Sequence, residues 1–170
     1  MGEFESVAIE AARKAGSLIA RDFQKPLRGL KLKGDRNVVT LTDIQAEGII
    51  LNHLKDHFPT HNFLTEESGQ LDGCSDYTWI IDPLDGTHNF ASGIPFCCVS
   101  IALTRGDEVL LGTVFDPLRN ELFTSLKGEG SFINGKRLKV RAKRNWADAM
   151  VALDSLIVKL GILGKKGRVW

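Results

Sequence analysis

The sequence predicts an α+β domain in which a pair of helices precedes an antiparallel sheet. Three observations predict it. Two stretches before Pro59 space their apolar residues for helices, and apolar runs from His61 to Ile133 alternate with short segments of turn chemistry. Asn134-Gly135 then supplies the strongest short hairpin signal, a type I′ turn. With 170 residues, 43% of them hydrophobic and 25% charged, the chain is long enough to bury a core and too apolar to stay disordered.

The first helix is expected from Phe4 to Ile19, where Phe4, Val7, Ala8, Ala11, Ala15, Leu18 and Ile19 fall at i, i+3, i+4 spacing and lay one apolar stripe. Pro26 and Gly29 break that pattern. Val38 to Thr42 reads as a short strand, and Asp43 is suited to cap a second helix with Ile44, Leu51, Leu54 and Phe58 turned inward, closed by Pro59. His61 to Thr65 is a candidate strand. Tyr77 to Ile81 is another, aromatic and β-branched enough to be buried on both faces, and a loop with Glu66, Glu67 and Gly69 separates the two.

Phe96 to Leu103, Val109 to Phe115, Glu121 to Leu126 and Gly130 to Ile133 form a meander, its turns at Arg105-Gly106-Asp107, Asp116 to Asn120 and Lys127-Gly128-Glu129. Past the hairpin, Arg137 to Arg144 alternates basic and apolar residues, so one face is solvated or binds anions. Ala147 to Leu160 fits a helix or a buried strand equally, and Gly161 to Trp170 reads as a frayed end. The expected division is therefore 1–143 as the folded unit and 144–170 as a short appendage.

Charge and cysteine usage exclude several classes. Twenty-two Lys+Arg against 21 Asp+Glu leave a net +1, without the broad positive field of a nucleic-acid binder. No apolar run approaches the roughly 20 residues of a membrane span, and the acidic start Met1-Gly2-Glu3-Phe4-Glu5 is unlike a signal peptide, so a cytoplasmic protein without a membrane partner is expected. Cys74, Cys97 and Cys98 are odd in number and form no CxxC pair; packed, reduced thiols are expected. His53, His57 and His61 have no carboxylate or cysteine at metal spacing and read as exposed polar residues, and His88 carries no assigned role.

Chemistry concentrates in Trp79-Ile80-Ile81-Asp82-Pro83-Leu84-Asp85-Gly86-Thr87. An apolar strand runs into two carboxylates three residues apart, with proline fixing the backbone between them and glycine permitting a sharp turn into a short helix ending near Gly93. Carboxylates forced together raise one another's pKa unless a cation intervenes, and an all-oxygen set suits Mg²⁺ or Mn²⁺. Asp82 could bridge two ions, with the Leu84 carbonyl as a further ligand. Gly86 and Thr87 would open a helix, where main-chain N–H groups favour a phosphate. Two surface turns would produce the same letters. Further acids at neighbouring strand ends favour a site: Glu66 and Glu67 follow one strand and Asp43 another, although Asp43 taken alone reads as a helix cap.

These residues resemble the first signature of the inositol monophosphatase family of Mg²⁺-dependent, Li⁺-sensitive phosphatases. Val39-Thr40-Leu41-Thr42-Asp43, Thr65-Glu66-Glu67-Ser68, the Pro95-Phe96 strand entry and Gly128 to Gly135 match in type and order, in register from about Phe4 to Val140. The resemblance implies the first half of a layered αβαβα sandwich, with the second α/β half largely absent. It implies Glu66, Asp82 and the Leu84 carbonyl as ligands of one Mg²⁺ and Asp82 with Asp85 for a second, while Glu67 stands behind them near a third, weaker ion. It further implies that Thr87, paired with Asp43, orients the attacking water, and that Glu66, Leu84, Asp85, Gly86 and Thr87 line the substrate.

The activity so implied is hydrolysis of a small sugar or cyclitol phosphate such as inositol 1-phosphate, by a homodimer. Alternatives are fructose-1,6-bisphosphatase activity within the same family, or a truncated, non-catalytic metal-binding or assembly module. The family's second signature, a Trp-Asp followed by small residues, has no counterpart here. A second ion held by Asp82, Asp85 and water alone is then expected to bind weakly.

Overall fold

A computed structural model describes residues 2–25, 31–33 and 37–139. The chain divides into two units, Met1–Leu138 and Lys139–Trp170, of which the first is described below. The expectations for Ala147 to Leu160, for the frayed end and for the basic strand beyond Lys139 lie outside the described residues.

Helix α1 spans Gly2–Asp22 and α2 spans Leu41–His57. Between them β1 (Lys31–Lys33) and β2 (Asn37–Val39) pair as a small hairpin. The predicted stripe on α1 is the one that is buried: Val7, Ala8, Ala11, Ala15, Leu18 and Ile19 all face the core. Gly16 has a packing reason to lie inside a helix, since a Cβ there would meet the Phe115 ring at 2.5 Å. The small residues of α1 let it approach α2 and the sheet closely, so it packs against both.

The second helix starts earlier than its acidic residue suggests. Thr40 is the N-cap, in extended conformation, and Asp43 is the third helical residue, completing a capping box with it. Ile44 is 49% exposed and does not join the inward face, which is built from Ala46, Ile50, Leu51 and Leu54. An apolar residue in the first turn had fitted the spacing, but the Asp43 face is the one turned inward.

The sheet has eight strands in the order β10-β9-β8-β7-β6-β5-β3-β4. They are β3 (Asn62–Thr65), β4 (Gly69–Leu71), β5 (Tyr77–Asp85), β6 (Cys98–Arg105), β7 (Glu108–Asp116), β8 (Glu121–Leu126), β9 (Gly130–Ile133) and β10 (Lys136–Arg137). All pairs are antiparallel except β3 with β5, which run parallel. The loop expected between Glu66 and Tyr77 folds back as β4, and among the described residues the segment after the turn pairs with β9 over Lys136 and Arg137. Asn134 and Gly135 both take positive φ, as a type I′ turn requires.

One face of the sheet packs on the helices through Trp79, Ile81, Val99, Ile101, Leu103 and Leu111, with Phe115 beside Gly16. Strand β5 alternates instead of being buried on both faces, because Ile80 is 41% exposed between buried Trp79 and Ile81. Leu64 on the neighbouring strand is exposed on the same side, its register partner being Ile80.

His61 and His53 are not the surface residues expected. His61 is buried, stacks on Phe58 and Tyr77, and accepts the Trp79 indole N–H at 3.1 Å on Nδ1. Burial lowers its pKa, which keeps the ring neutral and able to accept. His53 is mostly buried between the helices, next to Lys14 and Glu10, and of these three histidines His57 alone is exposed. The thiols also divide: Cys97 is buried and Cys98 half-buried as expected, whereas Cys74 is exposed.

Candidate metal and phosphate site

The site lies where β3 and β5 end side by side. Their parallel register sets Thr65 opposite Ile81, and the Glu66 N–H continues the ladder by donating to the Ile81 carbonyl at 3.3 Å. Glu66 therefore arrives beside Asp82. This pairing joins segments separated by the β4 excursion and could not be read from local pattern.

Asp82 and Asp85 would point to opposite faces of a regular strand, because they are an odd number of residues apart. The β5–β6 pairing shows how both come to one side. Asp82 pairs with Ser100 and Asp85 with Cys98, so three steps on β5 match two on β6 across a bulge. Pro83, with no N–H to offer the ladder, sits inside it, and the Leu84 N–H donates to Asp82 Oδ1 at 3.1 Å. Proline within a strand-like run was the available sequence signal for this bulge.

Asp82 is the strained acid of the group. Burial foremost, then the charges of Glu66 and Asp85 and a hydrogen bond shared with Glu66, push its pKa up to about 7. Two carboxyl groups hydrogen-bond only when one carries a proton, so either a proton shared between Asp82 and Glu66 or a cation in its place would relieve their repulsion. Among the described residues, no three or more His, Cys, Asp or Glu side chains converge as a ready-made metal cage. The donor set nonetheless suits a hard divalent cation: carboxylates and a carbonyl, with no nitrogen ligand. Cys98 lies against this set, its Sγ 3.7 Å from Asp85 Oδ2, and burial with the neighbouring Asp85 pushes its thiol up to about 12.

The other side of the site begins at Gly86, whose φ of +90° precedes the five-residue helix α3, Thr87–Ala91. A Cβ at this position would sit 2.8 Å from the Phe96 carbonyl oxygen, so glycine answers both conformation and space. The Thr87 hydroxyl lies 2.9 Å from Asp43 Oδ1 and 2.9 Å from the Leu84 carbonyl oxygen. Asp43 is only 2% exposed, and its Oδ2 accepts the Thr40 N–H at 2.8 Å and the Thr40 hydroxyl. It thus caps the helix through one oxygen and reaches Thr87 through the other.

Of the predicted site residues, Glu66, Asp82, Leu84 and Asp85 form one group, and Asp43, Gly86 and Thr87 adjoin it through the Leu84 carbonyl. Glu67 follows Glu66 in the turn after β3, and its main-chain N–H donates to Glu47 Oε2 at 3.0 Å. Glu47 had not been singled out; its position four residues after Asp43 on one helix face was the signal.

The sequence model of the inositol monophosphatase family matches residues 1–158, further than the motifs alone had reached. The chain belongs to this family. It is 45% identical over 159 residues to inositol monophosphatase 2 of Solanum lycopersicum, covering 91% of this chain and 60% of that protein. It is 44% identical to Nus factor SuhB of Pasteurella multocida, over 89% and 57% of the two chains. Among solved structures, the extragenic suppressor protein suhB of Bartonella henselae matches with a TM-score of 0.78 and 42% identity, over 82% of this chain and 54% of that one. The chain thus spans about six tenths of the length of these curated family relatives.

Proposed function

We propose that this chain carries the metal- and phosphate-handling residues of a Mg²⁺-dependent phosphomonoesterase acting on a small sugar or cyclitol phosphate such as inositol 1-phosphate. The observation that carries the reading is the single Thr87 hydroxyl proton shared between Asp43 and the Leu84 carbonyl, next to Asp82, whose carboxyl group feels the charges of Glu66 and Asp85. Glu66, Asp82, Asp85 and the Leu84 carbonyl fit two Mg²⁺ ions, or Mn²⁺ in their place, with Glu67 behind them. When bound, these ions supply the positive charge that polarises the phosphate and lowers the pKa of a water.

The chain's own residues do the rest. The Leu84 oxygen would serve such an ion as a ligand, while the Thr87 hydroxyl donates its hydrogen bond to Asp43 Oδ1 and its oxygen is left to accept one from the attacking water. Asp43 is held for this by the two Thr40 donors and by burial. The main-chain N–H groups of Gly86 and Thr87 would hold the phosphate oxygens, a preorganised stabilisation of developing negative charge. The near-neutral net charge of +1 supports a small-molecule partner. Among the described residues no helix is long and apolar enough to cross a membrane, and we assign a cytoplasmic setting. Leu64 and Ile80, exposed together, offer apolar surface in keeping with a homodimer.

The test is phosphate release from inositol 1-phosphate with Mg²⁺, fructose 1,6-bisphosphate being assayed in parallel. Thr87→Ala is expected to lower the rate about 100-fold or more, and Asp82→Asn to abolish it. Release by the unaltered chain no faster than by Asp82→Asn would defeat the catalytic reading and favour a non-catalytic assembly module.

A further inference from the structure

Glu47 is a buried carboxylate, 3% exposed, that neither the metal ligands nor the Thr87–Asp43 pair accounts for. It lies on α2 one turn after Asp43, so both project from one face of the helix. Burying a carboxylate is unfavourable unless its oxygens are satisfied, and both are. Oε2 accepts the Glu67 N–H at 3.0 Å, and Oε1 accepts the Ser68 hydroxyl. Both donors belong to the turn between β3 and β4 that opens with Glu66.

That turn is fixed from two other directions. The Glu66 N–H joins it to β5 through the Ile81 carbonyl, and the Ser68 N–H closes it on itself by donating to Thr65 Oγ1 at 3.1 Å. The first bond reaches β5 at Ile81, ahead of the bulge, and neither bond reaches Gly86 or Thr87 themselves. The helix does: Asp43 Oδ1 takes Thr87, and Glu47 takes Glu67 and Ser68. Two carboxylates one helical turn apart thereby reach the two loops that make up the site.

We infer that Glu47 is a positioning residue, and that α2, through Asp43 and Glu47, adds to the β3–β5 ladder a second, rigid tie between the Glu66 turn and the segment that carries Gly86 and Thr87. The inference rests on the metal-dependent reading of Glu66, Asp82 and Asp85. A ligand whose supporting hydrogen bonds are removed loses orientation before it loses chemistry, and such losses lower metal affinity by about 10- to 100-fold. Glutamine at position 47 keeps the volume but removes the charge: its one oxygen accepts the Glu67 N–H as a neutral acceptor, and its NH₂ group meets a Ser68 hydroxyl that must turn from donor to acceptor, so both contacts lose their charge-assisted strength.

The experiment is titration with Mn²⁺ alone, followed by its electron paramagnetic resonance signal, on the unaltered protein, Glu47→Gln, Ser68→Ala and Asp82→Asn. Hydrogen exchange at the Glu67 amide is measured alongside. Glu47→Gln is expected to bind Mn²⁺ about tenfold more weakly and to exchange the Glu67 amide at least about tenfold faster. Ser68→Ala alters only an exposed side chain and is expected to weaken Mn²⁺ binding by about two- to fivefold, so it carries the test should Glu47→Gln not fold. In activity, the Mg²⁺ concentration for half-maximal rate should rise for Glu47→Gln while the rate at saturating Mg²⁺ stays within about twofold. Mn²⁺ binding that is lost in Asp82→Asn but unchanged in a folded Glu47→Gln or in Ser68→Ala would overturn the inference and leave the metal site standing. No Asp82-dependent binding in the unaltered protein would overturn both.

Discussion

Replacing Asp82 with Asn should remove a specific pH dependence from the stability of the metal-free protein. The folded chain raises the Asp82 pKa from 3.8 to about 7, through burial first and then Glu66 and Asp85. A raised folded-state pKa means that folding favours the protonated acid. The resulting stabilisation is complete below the unfolded value and is lost as pH rises through the folded value. A shift of about 3 units corresponds to roughly 4 kcal/mol at 1.36 kcal/mol per unit. Asp82 is only partly buried, and solvent screening reduces the usable share to about 1–2 kcal/mol. Asparagine has nearly the same size and no proton to lose. In urea unfolding with a chelator present, the unaltered protein should lose about 1–2 kcal/mol more than Asp82→Asn between about pH 4 and pH 8. Millimolar Mg²⁺ should restore that difference near pH 8, because a cation then replaces the missing proton. Parallel pH profiles for the two proteins, or equal stabilisation of both by Mg²⁺, would refute the reasoning.

Two other predictions follow from local geometry. Gly86→Ala combines a φ of +90° with a Cβ 2.8 Å from the Phe96 oxygen and 3.3 Å from Cys97 Cα, main-chain atoms with no flexible end to move aside. It should cost about 2–4 kcal/mol in chemical unfolding, and an unchanged midpoint would contradict the strain assigned to this turn. Thiol titration with 5,5′-dithiobis(2-nitrobenzoate) near pH 8 should give one fast group, exposed Cys74, and two that react only after denaturation. Cys97 and Cys98 are pushed up to about 11 and about 12, chiefly by burial, and hold almost no thiolate at that pH. Three equally fast thiols would show that the β5–β6 end is open to solvent.

What could be read in the sequence divides by range. The α1 stripe, the β8 and β9 bounds and the Asn134-Gly135 turn were legible because each is fixed by residues within a few positions. The carboxyl residues were legible as a set for a different reason: strand ends and turns put Glu66, Asp82, Asp85 and Asp43 where chemistry is usual. The parallel β3–β5 pair was hidden because the β4 excursion intervenes, and so was the alternation of β5. Trp79, Ile80 and Ile81 are all apolar, and a continuous apolar run does not reveal that one side lies open. His61 was misread because polarity alone suggested solvent, whereas the Trp79 indole supplies the donor its ring needs inside the core.

The same division explains why the site reads in the sequence as one signature with scattered acids around it and in space as one arrangement. A helix carries side chains four residues apart to the same face, so a single element, α2, can address two loops distant from each other in the chain. Asp43 was visible by its place after a strand, but its helical depth was not: as third residue behind Thr40 it points inward, where Oδ2 completes the cap and Oδ1 stays free of the helix for Thr87. A residue at the N-cap itself would aim its side chain at its own helix's N–H groups and could not make that second contact so readily. The early helix start and the reach of Asp43 toward Thr87 are thus one structural fact. Glu47 inherits its direction from the same register, which carries it to the turn after Glu66.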